Sequence, residues 1–445
     1  MPKSQWRFGR LPLLLAAILC QSPQALARTA EERIADLERA IIEQSQRIAE
    51  LEAQVEQQKA QLAGYLPGSA SQANAENTRL PAATDNHAEP ADVRLAVAPE
   101  TAPSFAIDGL DVSGDLRMRY EQNWSDRGAR NRARGVMRAR LAATYAVNDV
   151  FTVGARIVTG DPDDPNTADV TLSNFADDLT VSLDRAYVTA NLGAGKLSLG
   201  KIPQIFRKTD LVWDDDVNPQ GASALVKVPL GSSSTLELRG LYFLIDEAAL
   251  AADSDMWGVQ TAFTATPSAN LGLMLAAAYY DYTIGSIAGA DIGDFRGNLR
   301  GPDGHYLSDF DLVDVLASAK WSGLSPRWPV TLTADYVINR GAANGEDQGI
   351  GIMAEIGQTV DRGDWHFAYS YLAADADAVL ATFSHDNLAL STDYLLHAFS
   401  IDYALRRHAV LNATLYHYRA QRSALQAMTG ADWLDRLRLN LVLSF

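Results

Sequence analysis

The sequence predicts an all-β fold, a transmembrane antiparallel β-barrel of about 16 strands, preceded by a short coiled-coil helix and a flexible linker. Three observations lead to this prediction. Runs of about ten residues alternate apolar and polar side chains. Short turns and long polar connections alternate between these runs. No apolar stretch reaches the roughly 18 residues that a membrane-spanning helix needs.

The amino terminus has the three parts of an export signal. Three basic residues within the first ten precede an apolar core at 11–20, and positions 25–27 supply small residues for a signal peptidase. We expect residues 1–27 to be a signal peptide that is cleaved off, and the single cysteine, Cys20, leaves with it. The mature chain then has no thiol for a disulfide or for nucleophilic catalysis.

Residues 28–66 carry a heptad repeat. Apolar residues recur every seven positions from Ile34 to Leu62, a second series begins at Leu37, and charged or amide side chains fill the outer positions. We expect a coiled-coil oligomerisation helix here, and a single solvated helix is the alternative. Residues 67–107 are rich in Ala, Pro, Asn, Ser and Asp without a period, which is typical of a flexible linker.

Residues 108–445 carry the two-residue alternation and form the predicted barrel domain. In the last run, Leu437 and Leu439 lie on one face and Arg436 and Arg438 on the other. This pattern is typical of a strand between lipid and water, and closure of the sheet pairs every backbone polar group, as hydrocarbon requires. The predicted strands are 110–121, 132–146, 150–159, 180–192, 196–204, 221–229, 235–245, 257–266, 271–284, 311–321, 330–338, 349–360, 365–374, 394–404, 410–420 and 436–445.

Charge and motifs exclude several functions. The formal net charge is −17, with 55 acidic against 38 basic residues, so we expect no nucleic-acid partner. The seven histidines form no metal-ligand motif, and neither a G-x-S-x-G nor a P-loop sequence occurs. We therefore predict no enzyme activity, catalytic residue, cofactor or metal. Binding of Ca²⁺ by the acidic run 161–164 is an alternative for that loop.

Several segments carry a family resemblance. The final run, which ends at Phe445, resembles the last strand of Gram-negative outer-membrane barrels. Segments 115–120, 159–161, 183–187 and 211–219, with the arginine-rich second strand, resemble the outer-membrane porins that have an amino-terminal coiled coil. The resemblance implies a homotrimeric pore in the lipid bilayer of the outer membrane, with the last strand read by the outer-membrane assembly machinery.

In trimeric porins one loop folds into the lumen, and by this resemblance the link 205–220 is the candidate constriction loop. Carboxylates on such a loop, opposite arginines on the wall, would set a field across the pore. Charged side chains that merely face a wet lumen are the structural alternative. The loop candidates are Arg207, Lys208, Asp210, Trp213, Asp214, Asp215, Asp216 and Asn218. The pore-lining candidates are Arg117, Arg119, Arg132, Arg134, Arg138, Arg140, Arg156, Arg185, Arg436 and Arg438.

Two functions follow from these expectations. The first is a water-filled channel for passive diffusion of small hydrophilic solutes or ions. The second is a structural barrel that tethers the outer membrane to peptidoglycan through its periplasmic coiled coil. The sign of the selectivity stays open, because the acidic charge favours cations and the arginine wall favours anions.

Overall fold

A computed structural model describes residues 108–125, 131–173, 176, 178–248, 252–287, 289–290, 294–421 and 433–445. The predicted signal peptide, coiled coil and linker lie outside these residues. Among the described residues, a helix with the length and hydrophobicity that spanning a bilayer requires is absent.

The described residues form one antiparallel sheet that closes on itself. Apart from one two-residue strand, the strands pair in sequence order, and the first, Leu110–Ser125, pairs with both the next, Arg132–Ala146, and the last, Leu434–Ser444. Sixteen strands therefore form a barrel, as predicted. The two-residue strand β4 lies in the connection between β3 and β5 and pairs with β2. The strands are β1 (Leu110–Ser125), β2 (Arg132–Ala146), β3 (Phe151–Thr159), β4 (Val170–Thr171), β5 (Val181–Leu192), β6 (Gly195–Lys201), β7 (Gln220–Pro229), β8 (Ser234–Asp246), β9 (Ser254–Ser268), β10 (Leu271–Ile284), β11 (Phe310–Trp321), β12 (Val330–Asn339), β13 (Gln348–Gly357), β14 (Trp365–Ala374), β15 (Tyr394–Arg406), β16 (Ala409–Ala420) and β17 (Leu434–Ser444).

The barrel closes where the first and last strands meet. Met118 on β1 is paired with Leu441 on β17. Gly114 and Phe445 exchange two backbone hydrogen bonds, of 3.1 and 3.0 Å between nitrogen and oxygen. The described barrel therefore has no unpaired sheet edge at this seam.

The two faces of each strand differ as the sequence predicts. On β1, Leu116 and Met118 are 38% and 41% exposed on the outer face, whereas Arg117 and Arg119 are only 3% and 4% exposed inside. An outer face made of exposed apolar side chains needs an apolar solvent, which a bilayer supplies.

Exposed aromatic side chains lie near both rims of the barrel. Those near the ends that carry the short turns are Tyr145, Phe151, Trp321, Trp365 and Phe445, and those nearer the long loops are Tyr120 and Trp257. Aromatic residues at two levels are typical of interfacial girdles, where an amphipathic ring meets lipid headgroups.

The main apolar core lies inside the barrel, near the long loops. It is built from inward side chains such as Tyr280 on β10 and Tyr416 on β16, and from residues of two loops, 202–219 and 375–393. This apolar core was not predicted, because the inward faces of the strands were expected to carry charged side chains. The loops therefore narrow the lumen.

Candidate channel constriction

Two loops fold into the lumen and pack against each other. Trp213 in loop 202–219 is fully buried, and its ring stacks on Phe383 of loop 375–393 with centroids 5.8 Å apart. The backbone N–H of Asp214 donates to the Phe383 carbonyl over 2.8 Å. Trp213 also meets Tyr280 of the barrel wall edge to face at 5.7 Å. Burial of these large rings supplies the free energy that holds both loops inside.

Loop 202–219 reaches across the lumen. Its base is closed by the N–H of Ile202, which donates to the carbonyl of Pro219 over 2.8 Å. On one side the Thr209 hydroxyl donates to the Asp335 carboxylate of β12. On the other side the carboxylate of Asp216 contacts β2. Residues 205–219 of the predicted segment belong to this loop, and Gln220 is the first residue of β7.

Three contacts bring the end of this loop to the arginine wall. Asp216 Oδ1 accepts a hydrogen bond from Arg140 Nη1 at 3.0 Å, and its Oδ2 lies 3.7 Å from Arg138 Nη1. Asn218 Oδ1 accepts from Arg185 Nε at 2.6 Å. Carboxylate and guanidinium groups therefore face each other at this point.

Asp214 and Asp215 do not face the wall. The N–H of Asp216 donates to Asp214 Oδ1 over 2.7 Å, so this carboxylate oxygen is bonded within the loop. Asp214 is buried, and this burial is the main reason that its pKa lies well above the ordinary value. The nearby carboxylate of Asp386 raises the pKa further. Asp215 pairs instead with Lys208 of the same loop.

The other candidates of the loop have separate partners. Arg207 Nη2 lies 3.0 Å from Glu237 Oε2 on β8. Asp210 Oδ2 accepts from Asn387 Nδ2 over 3.1 Å, which joins the two inward loops. These contacts fix the path of the loop and lie away from the arginines of β2.

The predicted pore-lining arginines all lie on strands of the barrel, but the exposed fraction differs from one arginine to another. Seven are buried, at 8% exposure or less: Arg117, Arg119, Arg134, Arg138, Arg156, Arg436 and Arg438. Arg140 and Arg185 are partly buried, and Arg132 is exposed.

Most of the buried arginines hold loops inside the barrel. Arg117 and Arg119 both pair with Asp169 of the β3–β5 connection, Arg119 over 2.7 Å. Arg438 Nη1 donates to Asn387 Oδ1 over 2.9 Å, and Arg436 donates to the Asn387 carbonyl over 2.6 Å. A buried guanidinium without such partners would be strongly destabilising.

Sequence reasoning missed the acidic partners of this wall. Glu121 is fully buried and accepts hydrogen bonds from Arg438 at 2.8 Å and Arg134 at 2.9 Å. Asp115 accepts from Arg140 at 2.7 Å. Glu121 lies at a two-residue spacing from the inward arginines of β1, so the alternation indicates that it faces inward. No local pattern identifies Asp169 as a partner.

A cavity of about 400 Å³ lies on the long-loop side of the Asp216–Arg140 contact. Side chains of β3, β5 to β8 and β10 form one side. Loop 160–169, residues 286, 287, 289, 290 and 294, and residues 380–383 form the other. Asp184, Lys201, Asp216 and Asn218 line it next to the wall arginines. Across the described ranges, no group of three or more His, Cys, Asp or Glu side chains is placed to hold a metal ion.

Two solved structures are similar to this chain. The solved structure of OprB from Pseudomonas putida has a TM-score of 0.50 at 12% identity, covering 76% of this chain and 94% of that chain. OmpF of Salmonella typhi, in a complex with daunomycin, has a TM-score of 0.47 at 12% identity over 76% of this chain and 97% of that chain. No curated protein matches the sequence. At this identity the likeness to OprB shows the fold alone.

Residues 125–291 match a family described as "Putative porin". This segment contains the inward loop 202–219 and the contact between Asp216 and Arg140. The match confirms the resemblance inferred from the sequence: over residues 125–291 the chain is similar to this porin family.

Proposed function

We propose that the protein is an outer-membrane channel for small hydrophilic solutes or ions, whose passage runs through the 400 Å³ cavity and past the contact between Asp216 and Arg140. That contact is the observation that carries the proposal. It places a carboxylate on an inward loop against a guanidinium on the barrel wall, beside a cavity bounded by the long loops. Opposite charges at the edge of a narrow passage orient dipolar solutes and select ions by sign.

The partly buried side chains beside the contact support this route. Arg185 and Lys201 line or border the cavity with part of their surface open, whereas Arg436 and Arg438 lie beneath loop 375–393. The arginines thus have two tasks in the proposal. Those near Asp216 face the passage, and those of β1 and β17 hold the loops that narrow it.

The export and assembly steps belong to the same proposal. Residues 1–27 are removed on export, the coiled coil of 28–66 lies in the periplasm, and three copies associate in the outer membrane. The support is the heptad pattern, the carboxy-terminal strand and the apolar outer face.

A cysteine placed in the cavity tests the route. Ser182 on β5 lines the cavity, whereas Ala343 is exposed on the loop 340–347 and does not. We expect a bulky thiol reagent to lower the single-channel conductance of Ser182→Cys in a planar bilayer and to leave that of Ala343→Cys unchanged. In both exported variants Cys20 is removed with residues 1–27 under this proposal, so the introduced cysteine is the sole thiol. Absence of any conductance would refute the channel, and an unblocked Ser182→Cys channel would refute this route.

A further inference from the structure

The cavity beside the constriction is strongly acidic. Seven aspartates line it, against the single basic residue Lys201. Two of them are neutralised, because Asp184 pairs with Arg156 and Asp216 with Arg140. The seven are Asp161, Asp163, Asp164, Asp184, Asp216, Asp246 and Asp294.

Three of these carboxylates have no basic partner among the described residues. Asp161, Asp163 and Asp246 form no ion pair there, and Asp161 Oδ1 accepts only the backbone N–H of Asp163, at 3.2 Å. The Oδ2 atom of Asp246 is buried and has no hydrogen-bond partner in the described structure. A buried carboxylate oxygen without a donor is costly, so a cationic ligand beside it gains a favourable contact.

An apolar surface forms part of the same cavity. Phe243 and Ile245 of β8, Ile284 of β10 and Leu380 of loop 375–393 all line it. Phe243 also packs on Phe383, with ring centroids 5.0 Å apart. The volume of about 400 Å³ lies in the range of pockets that enclose small organic molecules. Free inorganic cations gain nothing from such a surface.

We infer that this cavity is a binding site for organic cations, that is, solutes with a protonated amine and an apolar or aromatic body. This inference rests on the proposed channel, because the site lies on its passage. The amine sits near the carboxylates of Asp161, Asp163 and Asp246, and the apolar body lies along Phe243 and Ile284. The same carboxylates repel anions of equal size.

Block of the single-channel current tests the inference on the purified full chain. Phenethylammonium is the probe, ethylammonium lacks its ring, and phenylacetate has a similar body with the opposite charge. We expect phenethylammonium to interrupt the current at lower concentration than either comparison ion. Substitution Asp246→Asn keeps the side-chain shape and weakens the block by about fivefold. Asp347→Asn, in a loop outside the cavity, removes the same charge and leaves the block unchanged.

The outcomes separate the two proposals. A protein that passes no current refutes the channel and the inference with it. A conducting channel on which phenethylammonium acts no better than ethylammonium or phenylacetate overturns the inference alone. Equal block of the Asp246→Asn and unsubstituted channels also overturns it.

Discussion

Asp216 on the inward loop and Arg140 on β2 lie 3.0 Å apart, carboxylate oxygen to guanidinium nitrogen, although 76 positions separate them in sequence. The pair fixes the end of loop 202–219 to the barrel wall. It also places one charge of each sign at the same height in the lumen. The selectivity of the channel should therefore respond in opposite directions to loss of either partner.

Neutralising the pair changes the reversal potential measured under a salt gradient. In Asp216→Asn, Arg138 and Arg140 lose one of the two carboxylates that they share and keep the other, Asp115, so permeability shifts towards anions. In Arg140→Gln it shifts towards cations. The control is Asp215→Asn, because Asp215 pairs with Lys208 and does not touch the wall. Shifts of the same sign for Asp216→Asn and Arg140→Gln would contradict the arrangement.

Loosening loop 375–393 should widen the passage. The Asn387 side chain accepts from Arg438 at 2.9 Å and donates to Asp210 at 3.1 Å. Asn387→Ala removes both bonds, at a cost of about 1–3 kcal/mol for the unsatisfied buried partner. We expect a larger mean conductance and more open-channel noise than in the control Asn344→Ala, which lies in loop 340–347. Identical current traces would show that Asn387 does not hold the loop.

The packing of loop 375–393 should depend on pH through two neighbouring residues. Burial, then nearby Arg438, lowers the pKa of His385 to about 3, so the packed loop is destabilised as the pH falls below about 6.5. Burial raises the pKa of Asp386 to about 7, against the opposing effect of Arg296 and Arg438. The packed loop is therefore destabilised as the pH rises from about 4 to about 7.

Single variants separate these two effects. In Asp386→Asn, amide hydrogen exchange of 375–393 should become faster on acidification from about pH 7 to about pH 4.5, after correction for intrinsic rates. In His385→Gln, amide hydrogen exchange of the same segment should become faster as the pH is raised from about 4.5 to about 7. The unsubstituted protein should change least, because the two effects oppose each other. The same pH response in both variants would disprove this account of the loop.

Closure of the barrel should be sensitive to a single methyl group at Gly114. An added Cβ would lie 2.6 Å from the Arg140 carbonyl oxygen and 2.7 Å from Cζ of Phe445. We expect Gly114→Ala to destabilise the barrel by about 1–3 kcal/mol, seen as a lower temperature for loss of the fast-migrating folded band in detergent gels. Gly272→Ala has open space within 4 Å and should behave as the parent. Equal melting of both variants would contradict the seam geometry.

The strands were predictable because lipid and lumen impose a two-residue period on every membrane-spanning segment. For β2, β10 and β14 the predicted and observed ends coincide. The position of loop 205–220 in the lumen was predictable only through the family resemblance. No sequence pattern distinguishes Asp216, which contacts Arg140, from Asp214, whose Oδ1 accepts the N–H of Asp216 within the loop.

The second inward loop was not predicted. Residues 375–393 read as a polar external connection, and their burial depends on contacts between distant segments, such as Trp213 with Phe383. The two-residue strand β4 and the pairing of Asp169 with Arg117 also depend on contacts between segments that are distant in sequence. Neither a hydrophobic periodicity nor a sequence motif predicts such contacts.

A nitroxide scan along β17 in lipid vesicles tests the central claim most directly, namely that apolar side chains face lipid and charged side chains face the interior. Labels at 437, 439, 441 and 443 should be accessible to oxygen and shielded from a water-soluble nickel chelate. Labels at 438, 440 and 442 should show low oxygen accessibility. A scan without this alternation, or with the two sets exchanged, would contradict the membrane-spanning barrel and the channel inferred from it.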